Sequence, residues 1–227
     1  MGEPDSLGSI HFWIGCFALV CGAAAFCARK GGRIHRSAGT GFLAAMILLG
    51  LSGLWLSVAR GILFTVFLSL IALHAVITGW AAARPRSGLA RAVTLGSGTA
   101  SSLIALGAVT GGAIAAAAPG GALNGLQPAA FHTLAAVSAV LSLFDWRYAF
   151  APAPSRARRL TRHLGRMGFS LFLATGIFFF GNSHVFPEAL RQPALLAAPV
   201  LAVVAATLIH AALTRFKAGP TGPAQPS

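Results

Sequence analysis

The chain has 227 residues, of which 56% are hydrophobic and only 9% charged, with a formal charge of +13. That apolar share is above the usual range of a water-soluble domain, and the mean hydropathy of +0.76 agrees with it. The positive charge does not point to nucleic acid, because the cations sit in short gaps between apolar runs of membrane-spanning length.

A spanning helix needs ~20 mostly apolar residues. Seven runs meet this requirement, over about 8–28, 38–58, 61–83, 91–117, 128–148, 164–183 and 193–214. The expected fold class is all-α: a polytopic bundle of about seven transmembrane helices over residues 1–217, with a disordered tail over 218–227. The first run holds Cys16, Cys21 and Cys27 with no CxxC pair, so small core thiols are expected rather than a disulfide framework. Glu3 and Asp5 precede that run and cations follow it, the reverse of a secretory signal.

Arg29-Lys30-Gly31-Gly32-Arg33-Ile34-His35-Arg36 forms a basic turn between the first two runs. The fourth run is rich in small residues, and Gly107 with Gly111 makes a small-xxx-small pair suited to close packing, so a packed interior helix is expected there, with a half-buried hairpin as the alternative. An uncharged loop follows from Pro119 to Pro128. Ala151-Pro152-Ala153-Pro154-Ser155 then opens a second basic connector. Given seven crossings, every Lys and Arg except Arg60 and Arg191 falls on one side. The positive-inside rule makes that side cytoplasmic, with the N-terminus outside and the C-terminus inside.

The cytoplasmic basic motif comprises Lys30, His35, Arg36, Arg162, His163 and Arg166, and the partners expected for it are the anionic headgroups of the bilayer. Asp145 stands beside Arg147 at the end of the fifth run, and an ion pair between them is expected to brace the connector. Acids are too few for paired-carboxylate chemistry, which argues against a hydrolase.

The histidines offer another chemistry. His74 and His210 end similar segments, His74-Ala75-Val76-Ile77-Thr78 and His210-Ala211-Ala212-Leu213-Thr214, ahead of Pro85 and Pro220, and His11 and His132 occupy matching places in the first and fifth runs. This suggests two three-helix units joined by the Gly-rich fourth helix. Counting helical rise puts His11 and His132 at ~5–6 Å below the outer boundary, and His74 and His210 at ~20–26 Å. Two such layers would suit haem b ligated by His11/His132 and by His74/His210, giving at most a b-type redox protein. Another metal site, a proton relay, or neutral histidines packed between helices would explain the same positions. The alternatives from other classes are a small-solute transporter or channel, and a structural or assembly protein of the membrane.

The motifs His11-x3-Gly15, Lys30-Gly31, His35-Arg36-x2-Gly39 with Met46, Thr78-Gly79-Trp80, Asp145-x-Arg147, Arg162-His163-x2-Arg166-Met167 and Phe178-Phe179-Phe180-Gly181 together carry a resemblance. The chain resembles a bacterial family of multi-pass inner-membrane proteins known only as a domain of unknown function. The resemblance implies an inner-membrane location and a multi-helix fold, and brings no activity with it.

Overall fold

The computed structural model describes residues 6–84, 88–151 and 154–217. Pro85, Arg86, Pro152, Ala153, Pro220, the acidic flank at Glu3 and Asp5 and the tail over 218–227 lie outside the described residues. The described residues form seven long helices: α1 (Ser6–Cys27), α2 (Arg33–Ala59), α3 (Leu63–Ala82), α4 (Gly88–Ala117), α5 (Pro128–Ala149), α6 (Arg156–Gly181) and α7 (Pro193–Lys217). Each is long and apolar enough to cross a membrane, which marks a multi-pass membrane protein with the expected seven-helix bundle.

Local chemistry sets the helix ends. Gly31 turns between α1 and α2 at φ 77°, a left-handed conformation that glycine takes at no steric cost. Lys30 folds back over the end of α1, its Nζ donating to the Phe26 carbonyl at 2.5 Å, where a cation complements the open carbonyls. Burial against that helix end holds the Lys30 ammonium below its ordinary pKa. α5 starts with Pro128 in its first turn. α6 begins at Arg156, more than two turns ahead of the expected start at 164. Ser155 caps it, with Oγ accepting from the Arg158 amide at 3.2 Å.

α3 holds the centre, with 44% of its spanning window buried against 28% for α4. One face of α3 carries Ala72 and Val76 into a core with Ala18, Phe42, Met46, Leu171 and Ala174. Another carries Ile71 into a second core with Ala108, Leu134 and Ala135. Interior placement of the Gly-rich helix is therefore corrected: α4 lies at the edge and exposes Leu95, Leu103, Leu106 and Val109. Its glycines still work as expected, because Gly107 and Gly111 let the Phe67 and Phe131 rings press against the α4 backbone.

The three-helix units hold only in part. α1, α2 and α3 pack in sequence, but α5 lies chiefly against α4, and α6 packs against α3 and α7. α4 therefore forms a hairpin with α5 rather than linking two equivalent bundles. The thiols also sit closer to the surface than expected, with Cys16 and Cys21 half-buried and Cys27 exposed.

Candidate functional site

α5 carries a stripe of polar residues, Ser138, Ser142 and Asp145, at helical spacing and facing inward. Asp145 is fully buried at 0% exposure, about four residues from the helix end. A lone carboxylate there would be very costly to hold ionised. Three other helices supply its partners. His74 of α3 donates Nε2–H to Oδ2 at 2.7 Å, and Ser101 of α4 donates to the same oxygen at 3.0 Å. Arg162 and Arg166 of α6 each place Nη2 at 2.5 Å from Oδ1. The two arginines are one turn apart on α6, which is why both reach one oxygen.

Two guanidiniums against one carboxylate leave the cluster with excess positive charge. Arg166 is 6% exposed, and its Nη2 also donates to the Leu141 carbonyl at 3.3 Å, yet its Nη1 has no protein partner. Ser138 Oγ, three residues along α5 from Leu141, is the other buried side-chain atom without one among the described residues. Beside the cluster, Ser102 of α4 and Ser142 of α5 are hydrogen-bonded at 2.7 Å, and Trp146 Nε1 donates to Ser102 Oγ at 3.3 Å. The α4–α5 interface is therefore polar as well as close-packed.

The expected Asp145–Arg147 pair is corrected. Residues two apart on a helix point to different sides, and Arg147 is exposed while Asp145 faces inward. The basic motif divides in the same way. Arg162 and Arg166 turn inward to the carboxylate. His163 bonds the Gly79 carbonyl of α3 through Nδ1 at 2.9 Å, and His35 bonds the Ala25 carbonyl of α1 at 2.9 Å. Lys30 closes the α1 end, and Arg36 is exposed. Placing the start of α6 at 164 hid the Arg162–Arg166 stripe, because it left Arg162 in a loop.

The other end of the bundle holds a cavity of about 330 Å³ between α1, α2, α3 and α6. Its mouth is formed at helix ends by Gly8, Arg60, Ile62, Thr65 and Asn182, with His11 inside it. Met46, Ala72 and Ala174 line its deeper part. Helical rise places Ala72 ~14 Å from the start of α3 and only ~3 Å along the axis from His74. The cavity thus reaches inward to the level of the ion cluster, and α3 is the wall between them.

His11 Nδ1 and Ser52 Oγ are hydrogen-bonded at 2.8 Å, and the same hydroxyl lies 2.7 Å from the Leu48 carbonyl of its own helix. His132 packs elsewhere, its ring against Gly112 of α4. His74 is committed to Asp145. His210 bonds the Ala206 carbonyl of its own helix at 2.8 Å and sets its ring edge-on to Phe26. The expected pairs, His11 with His132 and His74 with His210, are not brought together, and these rings do not fit a bis-imidazole haem site. Among the described residues no cluster of three or more His, Cys, Asp or Glu is placed to hold a metal ion.

Comparison with protein-family models, with curated proteins and with solved structures finds no match for this chain.

Proposed function

We propose that the protein is a small-solute transporter or channel in which the cavity admits solute from one face and the Asp145 cluster controls passage to the other. The observation that carries this reading is the near-contact of the two features across α3: Ala72 lines the cavity and His74 holds Asp145. Ionisable groups at membrane depth mark ion and substrate paths more often than they serve stability, since apolar replacements would pack at less cost. The cluster also joins α3, α4, α5 and α6 through one carboxylate, so changing its bonding loosens four helices together. The arrangement of cations supports a bacterial inner-membrane location with the N-terminus outside, the C-terminus cytoplasmic and anionic lipid against the basic face. The quoted motifs favour membership of the uncharacterised inner-membrane family they resemble.

A second reading is favoured by the same bonds. A carboxylate that ties four helices is a brace, and a purely structural or assembly protein would also need one.

Swelling of proteoliposomes in a panel of small neutral, anionic and cationic solutes separates the two. The transport reading expects at least one solute class to enter faster than it enters protein-free vesicles, with the excess lost in His74→Ala. Entry equal to protein-free vesicles for every solute would leave the structural reading.

A further inference from the structure

The cavity also holds hydrogen-bonding capacity that the protein leaves unused. Ser57 and Thr65, which line it, each turn their hydroxyl onto a main-chain carbonyl one turn back. Ser69 of α3 lines it too, and among the described residues its Oγ has no protein partner. His11 of α1 faces the same space, with Nδ1 on Ser52 and no protein partner at Nε2 among the described residues. The two groups meet at one point of α2: a Cβ added at Gly53 would lie 2.9 Å from Ser69 Oγ and 3.3 Å from His11 Cε1. Glycine at position 53 thus leaves room between them. Deeper in, the wall is apolar at Met46, Leu49, Ala72 and Ala174.

Two unpaired polar groups over an apolar floor match a neutral amphiphile. We propose that this cavity binds a small uncharged alcohol, its hydroxyl bridging Ser69 Oγ and His11 Nε2 and its hydrocarbon tail lying against Met46, Ala72 and Ala174. A hydroxyl both donates and accepts, so it serves His11 in either neutral tautomer, whereas a carbonyl or ether oxygen serves only one. No Asp or Glu lines the cavity to balance an alkylammonium. Arg60 at the mouth is already engaged, so it is not a free counter-ion for a carboxylate. Bringing either charge in from water would be costly. At about 330 Å³ the cavity has the volume of roughly ten water molecules, room for an alcohol of about six carbons. Such an alcohol is the solute class of the transport reading, and its role as a solute rests on that reading. Binding and passage are measured separately, so either can fail alone.

A diazirine-bearing hexanol analogue is the probe, photoactivated with the full chain in liposomes and mapped by mass spectrometry. Saturable label is expected on Met46, Leu49 or Ala72. Compared at equal membrane-phase concentration, hexanol should displace it about tenfold more effectively than hexanoate or hexylammonium. Ser69→Ala breaks no bond within the protein, so it should leave the fold intact and weaken hexanol about fivefold. Membrane alcohols and aqueous alcohols share this chemistry, and competition separates them. Displacement of the label by hexadecanol identifies the membrane as the source, and failure to displace it identifies the aqueous alcohol. Label confined to lipid-facing residues such as Leu103 and Leu106 would overturn the proposal. So would equal displacement by hexanol and hexylammonium, or wild-type hexanol competition in Ser69→Ala. Label in the cavity without solute entry in the swelling assay would overturn the transport reading alone.

Discussion

Removing the charge of Asp145 leaves Arg162 and Arg166 facing each other with no anion between them, and Arg166 is nearly inaccessible to water. Breaking one side of a buried ion network is strongly destabilising, so Asp145→Asn should cost ~3–5 kcal/mol in reversible unfolding of the purified protein. Replacing the whole network by apolar residues has a different sign. The triple variant Asp145→Leu, Arg162→Met, Arg166→Met should recover most of that loss, because no buried charge is then uncompensated. The transport reading requires the triple variant to stay inactive after its stability returns. Recovered stability together with recovered solute entry would show the cluster to be a brace and nothing more. Arg147→Ala, by contrast, should change stability by less than ~0.5 kcal/mol, as an exposed substitution away from the network.

At the scale of helices, α4 provides an internal comparison between two glycines two residues apart. A Cβ at Gly98 would press into the Trp146 ring of α5 at 2.5–2.9 Å, whereas a Cβ at Gly96 meets nothing within 4 Å. Gly96→Ala should therefore stabilise by up to ~1 kcal/mol through helix propensity. Gly98→Ala should destabilise by ~1–3 kcal/mol through overpacking, and Gly107→Leu against Phe67 at least as much. Thermal unfolding midpoints of the three variants test this. If Gly98→Ala and Gly96→Ala shift together, the α4–α5 contact is looser than described.

The helices themselves were legible in the sequence because length and apolarity suffice to find a spanning segment. Their arrangement was less so. Small residues in α4 signal close approach by a neighbour, and that signal cannot say whether the approach comes from one side or all round. Similar His-Ala segments in α3 and α7 suggested symmetry, yet the neighbours differ: His74 meets an acid, whereas His210 bonds a carbonyl of its own helix and sets its ring against Phe26. The Asp145 partners were missed for a simpler reason. Sequence proximity favoured Arg147, and helical geometry favours Arg162 and Arg166, which are visible as an i, i+4 pair once Ser155 is read as the cap of α6.

For the whole molecule, the proposed orientation rests on an odd crossing number and asymmetric charge. Reporter fusions after Gly32 and Ser155 are expected on the cytoplasmic side, and fusions within 118–127 and 184–192 on the outer side. Neutralising Arg29, Lys30, Arg33 and Arg36 together should produce mixed insertion of the α1–α2 hairpin. Uniform insertion would transfer control of orientation to the later connectors.

If the Asp145 cluster controls passage from the cavity to the opposite face, reagent access to Ala72 tests it most directly. In a background with Cys16, Cys21 and Cys27 changed to serine, Ala72→Cys should react with a membrane-impermeant thiol reagent from the face where α1 begins. It should also react, more slowly, when the reagent is confined to the opposite face, because passage must open the cluster in turn. Reaction from the first face alone, in protein that is active in the swelling assay, would make the cavity blind and contradict the account.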